Sequence, residues 1–205
     1  MLNRLLNAAT GWYVQRGLRA YHHYPADKTA VVFIDVQDAF IAPEPTLAAS
    51  LAGLARLARS RRFLVVHAPM TVLSGASFPT PAHREIERSL SSQPEAPNIA
   101  SAVGLSPSDV VLPRRSTLSI FGLPEVDALI ESRGLEHLIL AGPLGDLTLD
   151  SSLRDAVQRD LHVTVVSDCV AASSAAALEL ELRYTMPRYA HLVTELEHLE
   201  RLSRP

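Results

Sequence analysis

The sequence predicts a single α/β domain in three layers: a doubly wound, six-stranded parallel sheet with helices on both faces. Three observations point there. Short apolar runs recur along the chain, and stretches with helical periodicity separate them, as in successive βαβ units. The runs are apolar throughout rather than alternating, which suits strands buried on both faces. The first of them, Ala30 to Ile34, closes on an acid, Asp35. In open α/β sheets the ligand crevice lies beyond the carboxyl ends of the strands, so a carboxylate there is a site candidate or a cap for the next turn.

Taken in order, the first strand is followed by a break at Ala42 to Pro45. Leu47, Leu51, Leu54 and Leu57 then mark one face of a helix with a basic end, Arg56 to Arg62. Phe63 to His67 is the second strand. The segment from Pro69 to Pro107 is rich in Ser, Pro and Ala, with one helix expected from about Ala82 to Leu90. So long and weakly patterned a stretch reads as a lid, binding loop or arm. Asp109 to Pro113 is the third strand, and Pro124 to Arg133 a helix with Val126, Leu129 and Ile130 inward. Leu138 to Gly142 is the fourth strand, followed by a helix from about Asp146 to Arg159. Val163 to Val166 is the fifth strand, ending at Asp168. A helix from Ser174 to Thr185, a short strand at His191 to Val193 and a helix from Glu195 to Leu202 complete the chain.

With 205 residues, 47% of them hydrophobic, the chain can bury a full core without staples. A net charge of −3 and a pI of about 6.2 leave no electrostatic footprint for nucleic acid. The one cysteine, Cys169, excludes an intramolecular disulfide and a cysteine-rich metal site, and suits a reducing, cytoplasmic compartment. No apolar run has the roughly 18 residues needed to span a membrane. Residues 1–24 form an arm before the main domain, residues 25–205. The arm lacks acids and carries Leu2, Leu5, Leu6, Ala9 and Tyr13 on one helical face. Packing on the domain or on a second subunit explains it better than organelle targeting, which would bring more Ser and Arg. The arm and the Pro69–Pro107 segment are the expected places for homo-oligomer contacts.

Several motifs resemble those of the isochorismatase-like hydrolases, also called cysteine hydrolases. An apolar strand ending in Asp-x-Gln-x-x-Phe is matched by Asp35, Gln37 and Phe40. Ser108-Asp109-Val110-Val111 through Phe121-Gly122 resembles a second motif. Gly142 to Leu149, with Asp155-Ala156 in register, resembles a third, and Ser167 to Ser173 a fourth. The resemblance covers roughly Pro25 to Leu202. It implies a catalytic triad of Asp, Lys and Cys. Asp35 stands at the Asp position and Thr148 at the Cys position. The Lys position falls on Arg114, or on Arg115 if the loop shifts by one.

Two of the three catalytic residues are therefore replaced. A threonine hydroxyl does not ionise near neutral pH, and arginine cannot relay protons. The covalent route looks closed, and Cys169 reads as a small packed residue rather than a displaced nucleophile. One branch of the family, the isochorismatases, works without the cysteine, by protonating a vinyl ether from the Asp. If this chain is active, Asp35 is the general acid/base. Arg114 (or Arg115) then anchors a small anionic substrate, with Gln37, Phe40 and Phe121 at the pocket. The alternative is a catalytically silent member that binds a ligand or a protein partner. No cofactor is implied. The family's metal site also lacks its acid here, since Val65-Val66 precede His67, and His67 and His83 alone make a poor site. Gly142-Pro143 is the place for a cis bond.

Overall fold

The computed structural model describes residues 23–41, 45–71, 79–91 and 98–203. The arm expected over residues 1–24 lies outside these except for His23 and Tyr24. In chain order the elements are β1 (Thr29–Ile34), α1 (Asp38–Ile41), α2 (Pro45–Ser60), β2 (Leu64–Ala68), α3 (Pro81–Ser91) and β3 (Val110–Val111). They continue with α4 (Pro124–Arg133), β4 (His137–Gly142), α5 (Asp150–Gln158), β5 (His162–Val170), α6 (Ala175–Leu180), β6 (Leu192–Thr194) and α7 (Leu196–Leu202).

All six strands join one sheet in the order β3-β2-β1-β4-β5-β6, and every pairing is parallel. β1 is buried along its whole length because both of its faces are covered. Val31 and Phe33 pack with Leu51, Leu54 and Ala58 of α2 and Leu199 of α7. Ala30, Val32 and Ile34 pack with Val126 of α4 and with Leu153 and Ala156 of α5. Truncating Leu51 or Leu54 to Ala removes packing worth about 2–5 kcal/mol. A third, smaller cluster gathers residues beyond the strand ends. Met70, Ile86 and Leu90 form its centre, with half-buried Phe40, Leu118, Leu144 and Leu147 against them.

The chain runs outward from β1 to β3, then returns to lay β4 on the other side of β1. That reversal opens the crevice of a doubly wound sheet between the ends of β1 and β4. Gly142 ends β4 there because a Cβ would sit 2.2 Å from the Ile34 carbonyl oxygen. Gly145 is similarly constrained, with a Cβ position 2.6 Å from the Ala171 oxygen.

Some elements differ from expectation. β3 is two residues long, not five: the Asp109 carboxylate accepts from the Ser106 N–H and starts the strand late, and Pro113 has no N–H to extend it. The helix expected from Asp146 begins with a π turn, Gly145–Leu149, and becomes regular at Asp150. The helix expected to Thr185 passes through a second π turn, Glu181–Thr185, into a 3-10 turn. No cis peptide occurs among the described residues, so Gly142-Pro143 is trans.

Candidate active site

Asp35 follows β1 in a left-handed conformation, φ 55°, which Asp tolerates better than most residues. Its N–H donates to the Ala68 carbonyl at 3.2 Å, and its carbonyl accepts from Gln37 N–H at 2.8 Å. The backbone thus leaves the sheet within one residue and turns the carboxylate toward the chain beyond β3.

The arginine that meets it is Arg115. Nη2 donates to Asp35 Oδ2 at 2.8 Å and Nη1 lies 2.8 Å from Oδ1. Nη1 also donates to the Ala68 carbonyl at 2.7 Å, and Nη2 to that of Leu118 at 3.4 Å. Both side chains have no solvent exposure. The alternative register is therefore the one adopted, and Arg114 is exposed one residue earlier. The reason is backbone pairing. Arg115 N–H donates to Pro69 O, and Thr71 N–H to Arg115 O, so Met70 and Arg115 extend the sheet beyond β2 and β3.

Gln37 is fully buried and holds the other side of Met70. Its Oε1 accepts from Met70 N–H at 2.9 Å and its Nε2 donates to Met70 O at 3.3 Å. Both ends of the amide, expected to face a substrate, are engaged in this backbone clamp. Asp35, Gln37, Met70 and Arg115 form one connected buried unit.

Thr148 is fully buried in the π turn after β4. Its hydroxyl points back to the Leu144 carbonyl, 3.5 Å away, the local bond that Ser and Thr make inside helices. Its own carbonyl accepts from Ser152 Oγ at 2.6 Å, and that oxygen accepts from Ile120 N–H at 3.1 Å. Phe40 packs in the apolar cluster beyond the strand ends. Phe121 does not join it: it lies in the α4–α5 core with its ring 4.2 Å beneath the Arg159 guanidinium, which also pairs with Asp127. Cys169 is buried on β5, and burial followed by the Asp168 charge pushes its thiol far above the ordinary range.

Other polar clusters lie outside the expected site. His67 is buried, stacked on Phe33 at 5.4 Å, with Nε2 3.2 Å from Asp109 Oδ2. Arg59 Nη2 donates to the same oxygen at 2.7 Å. Burial lowers the His67 pKa, against the pull of Asp109. Burial also acts to raise Asp109, but hydrogen bonds from Arg59, Ser106 and His67 outweigh it and hold the carboxyl low. Across β4, β5 and the start of β6, His162 stacks on His191 at 4.5 Å and meets His137 at a tilt, 4.9 Å away. Their positions at the strand starts were readable, but only the register brings them into contact. Among the described residues no group of three or more His, Cys, Asp or Glu is placed to hold a metal ion, and no helix is long and apolar enough to cross a membrane.

Comparison with known proteins bears on the fold and the family. The chain is 36% identical over 62 residues to ureidoacrylate amidohydrolase RutB of Enterobacter sp. strain 638, spanning 30% of this chain and 26% of that protein. It is 25% identical over 100 residues to the uncharacterized isochorismatase family protein YwoC of Bacillus subtilis, spanning 49% of this chain and 52% of that protein. The matches thus span about a quarter and about half of these relatives' lengths. An isochorismatase family protein from Burkholderia thailandensis superposes with a TM-score of 0.72 at 23% identity, over 86% of this chain and 95% of that one. A cysteine hydrolase from Pseudomonas syringae pv. phaseolicola superposes with a TM-score of 0.73 at 19% identity, over 87% and 94%. At these identities the likeness shows the fold alone. The family model of the isochorismatase domain matches residues 29–196, the span that carries every strand and the Asp35–Arg115 unit. The chain belongs to the isochorismatase family.

Proposed function

We propose that this chain is a catalytically silent member of the family, in which the former reaction centre holds the fold together and function resides in binding. The observation that carries this is the engagement of both terminal nitrogens of Arg115. Its terminal nitrogens contact both oxygens of Asp35 and two backbone carbonyls, with no exposure of either side chain. Only its Nε is left without a partner, and that atom is buried, which argues against use of Arg115 as an anion anchor. A thiolate nucleophile is lacking, because Thr148 stands at that position with its hydroxyl turned to a helix carbonyl. Cys169 is buried elsewhere.

A Thr148→Cys variant in a Cys169→Ala background tests how closed the site is. The proposal expects iodoacetamide to label the new thiol only after urea unfolding. Rapid labelling of the native protein would mean an open, activated site and would contradict it.

One feature favours a second reading, acid catalysis by Asp35. The residue is held at φ 55°, and its Oδ1 lacks an aligned hydrogen-bond donor. Strained backbone of this kind gathers at functional sites. Under that reading small anionic metabolites such as isochorismate, or the ureidoacrylate of the RutB relative, are the substrates to try. Asp35→Asn then abolishes turnover while the protein stays folded.

A further inference from the structure

The helical ridge from Ala175 to Arg188 has a covering problem. α6 and the π turn after it contain no buried residue, and in the final 3-10 turn only Met186 is buried. The ridge sits on the α4–α5 core through half-buried Leu178 and Leu182. Its outer side carries Leu180 and Tyr184, four residues apart and each 56% exposed. Ala176, one turn earlier, is exposed as well. Of the five large apolar side chains exposed among the described residues, two (Leu180, Tyr184) fall in this span and a third, Tyr189, follows it directly. That concentration sets the ridge apart from the scattered apolar residues of an ordinary surface. A surface helix normally needs one apolar stripe, toward its own core; this one has a second, facing outward.

Charge flanks the stripe on one side. Glu179 and Arg183, again four residues apart, form an exposed pair at 3.3 Å. We propose that this ridge docks a second copy of the same chain, the two ridges lying antiparallel about a twofold axis. A twofold perpendicular to the helix returns each flank to the same side with its direction reversed. Leu180 of one copy then faces Tyr184 of the other. Glu179 of each copy approaches Arg183 of the second copy, and the contact occurs twice. An isologous interface requires this self-complementarity. A partner of uniform charge would meet one like charge in every such pair. The inference stands whether or not Asp35 performs chemistry.

The test is the mass of the full chain in solution, by light scattering and sedimentation, at about 100 µM, above the micromolar dissociation constants expected for a small interface. The proposal expects a dimer. Leu180→Glu or Tyr184→Glu yields a monomer whose melting temperature matches that of similarly diluted, dissociated wild type. Glu179→Arg and Arg183→Glu each weaken association by about tenfold. The doubly exchanged Glu179→Arg/Arg183→Glu protein recovers it, because both cross-copy pairs are restored. A monomer at this concentration overturns the proposal. So does a dimer indifferent to all four substitutions, or an exchanged pair that fails to recover. Melting curves for each variant separate lost association from lost folding.

Discussion

Two aspartate–arginine pairs flank β3, Asp109–Arg59 using the residue before it and Asp35–Arg115 a residue after it, and they differ in exposure. Asp35–Arg115 has a contact of 2.8 Å with neither side chain exposed, whereas Asp109–Arg59 has one of 2.7 Å with Arg59 32% exposed. In the first, the guanidinium is locked to two carbonyls as well as the carboxylate. In the second, the carboxylate is the hub, gathering Arg59, Ser106 N–H and His67 on a single oxygen. Removing a partner therefore strands a dry charge in the first case. In the second, the remaining donors still satisfy the acid. The same two residue types thus serve as a rivet in one place and a wet-edged brace in the other.

The largest expected effect breaks the rivet. Asp35→Ala or Arg115→Ala each costs about 3–5 kcal/mol in urea unfolding, because the remaining charge is buried without its partner. The paired apolar change Asp35→Leu/Arg115→Met recovers much of that loss. If the double variant is as unstable as the singles, the pair is not what holds these segments together. Gln37→Leu comes next. It leaves both polar groups of Met70 unpaired in a buried position, a cost of about 1–3 kcal/mol, and loosens the bridge that places Arg115. On the brace, Arg59→Ala costs about 1–3 kcal/mol, because the buried Asp109 loses one partner but keeps Ser106 N–H and His67; a loss as large as that from Arg115→Ala would erase the contrast.

The smallest effect is a pH slope. His67, His137 and His191 all have lowered pKa values, with burial as the leading cause. The folded state therefore favours the neutral rings, while the unfolded chain takes up protons below about pH 6.5. Their contribution is full above that pH. It is lost as the pH falls from there through the lowered folded values. Melting temperatures measured from pH 7.5 to 5 should decline on the acid side. A His67→Phe variant, which keeps the stack on Phe33, should decline less. An unchanged slope would mean that His67 contributes none of it.

Much of the fold was legible because its signals are local. Continuous apolar runs located all the strands, and the acid closing the first run marked the crevice. The residues that misled are those whose roles depend on register. Arg114 and Arg115 are indistinguishable in sequence; the pairing of Met70 with Arg115 decides between them. The bonds of Gln37 to Met70 could not be read in advance, because the backbone of Met70 carries no sequence signature. Phe121 follows the same loop as Arg115, but the 3-10 turn at Ile120–Gly122 directs its ring toward Arg159 instead. The two π turns were also hidden, since the amphipathic period continues through them with only a local change in winding.

The most direct test of the silent-site account is turnover of isochorismate by the purified wild-type chain, with Asp35→Asn measured alongside. The account predicts equal, negligible rates for both proteins, together with a less stable variant. Wild-type turnover that the folded variant loses would contradict it, and would return Asp35 to the role of catalytic acid.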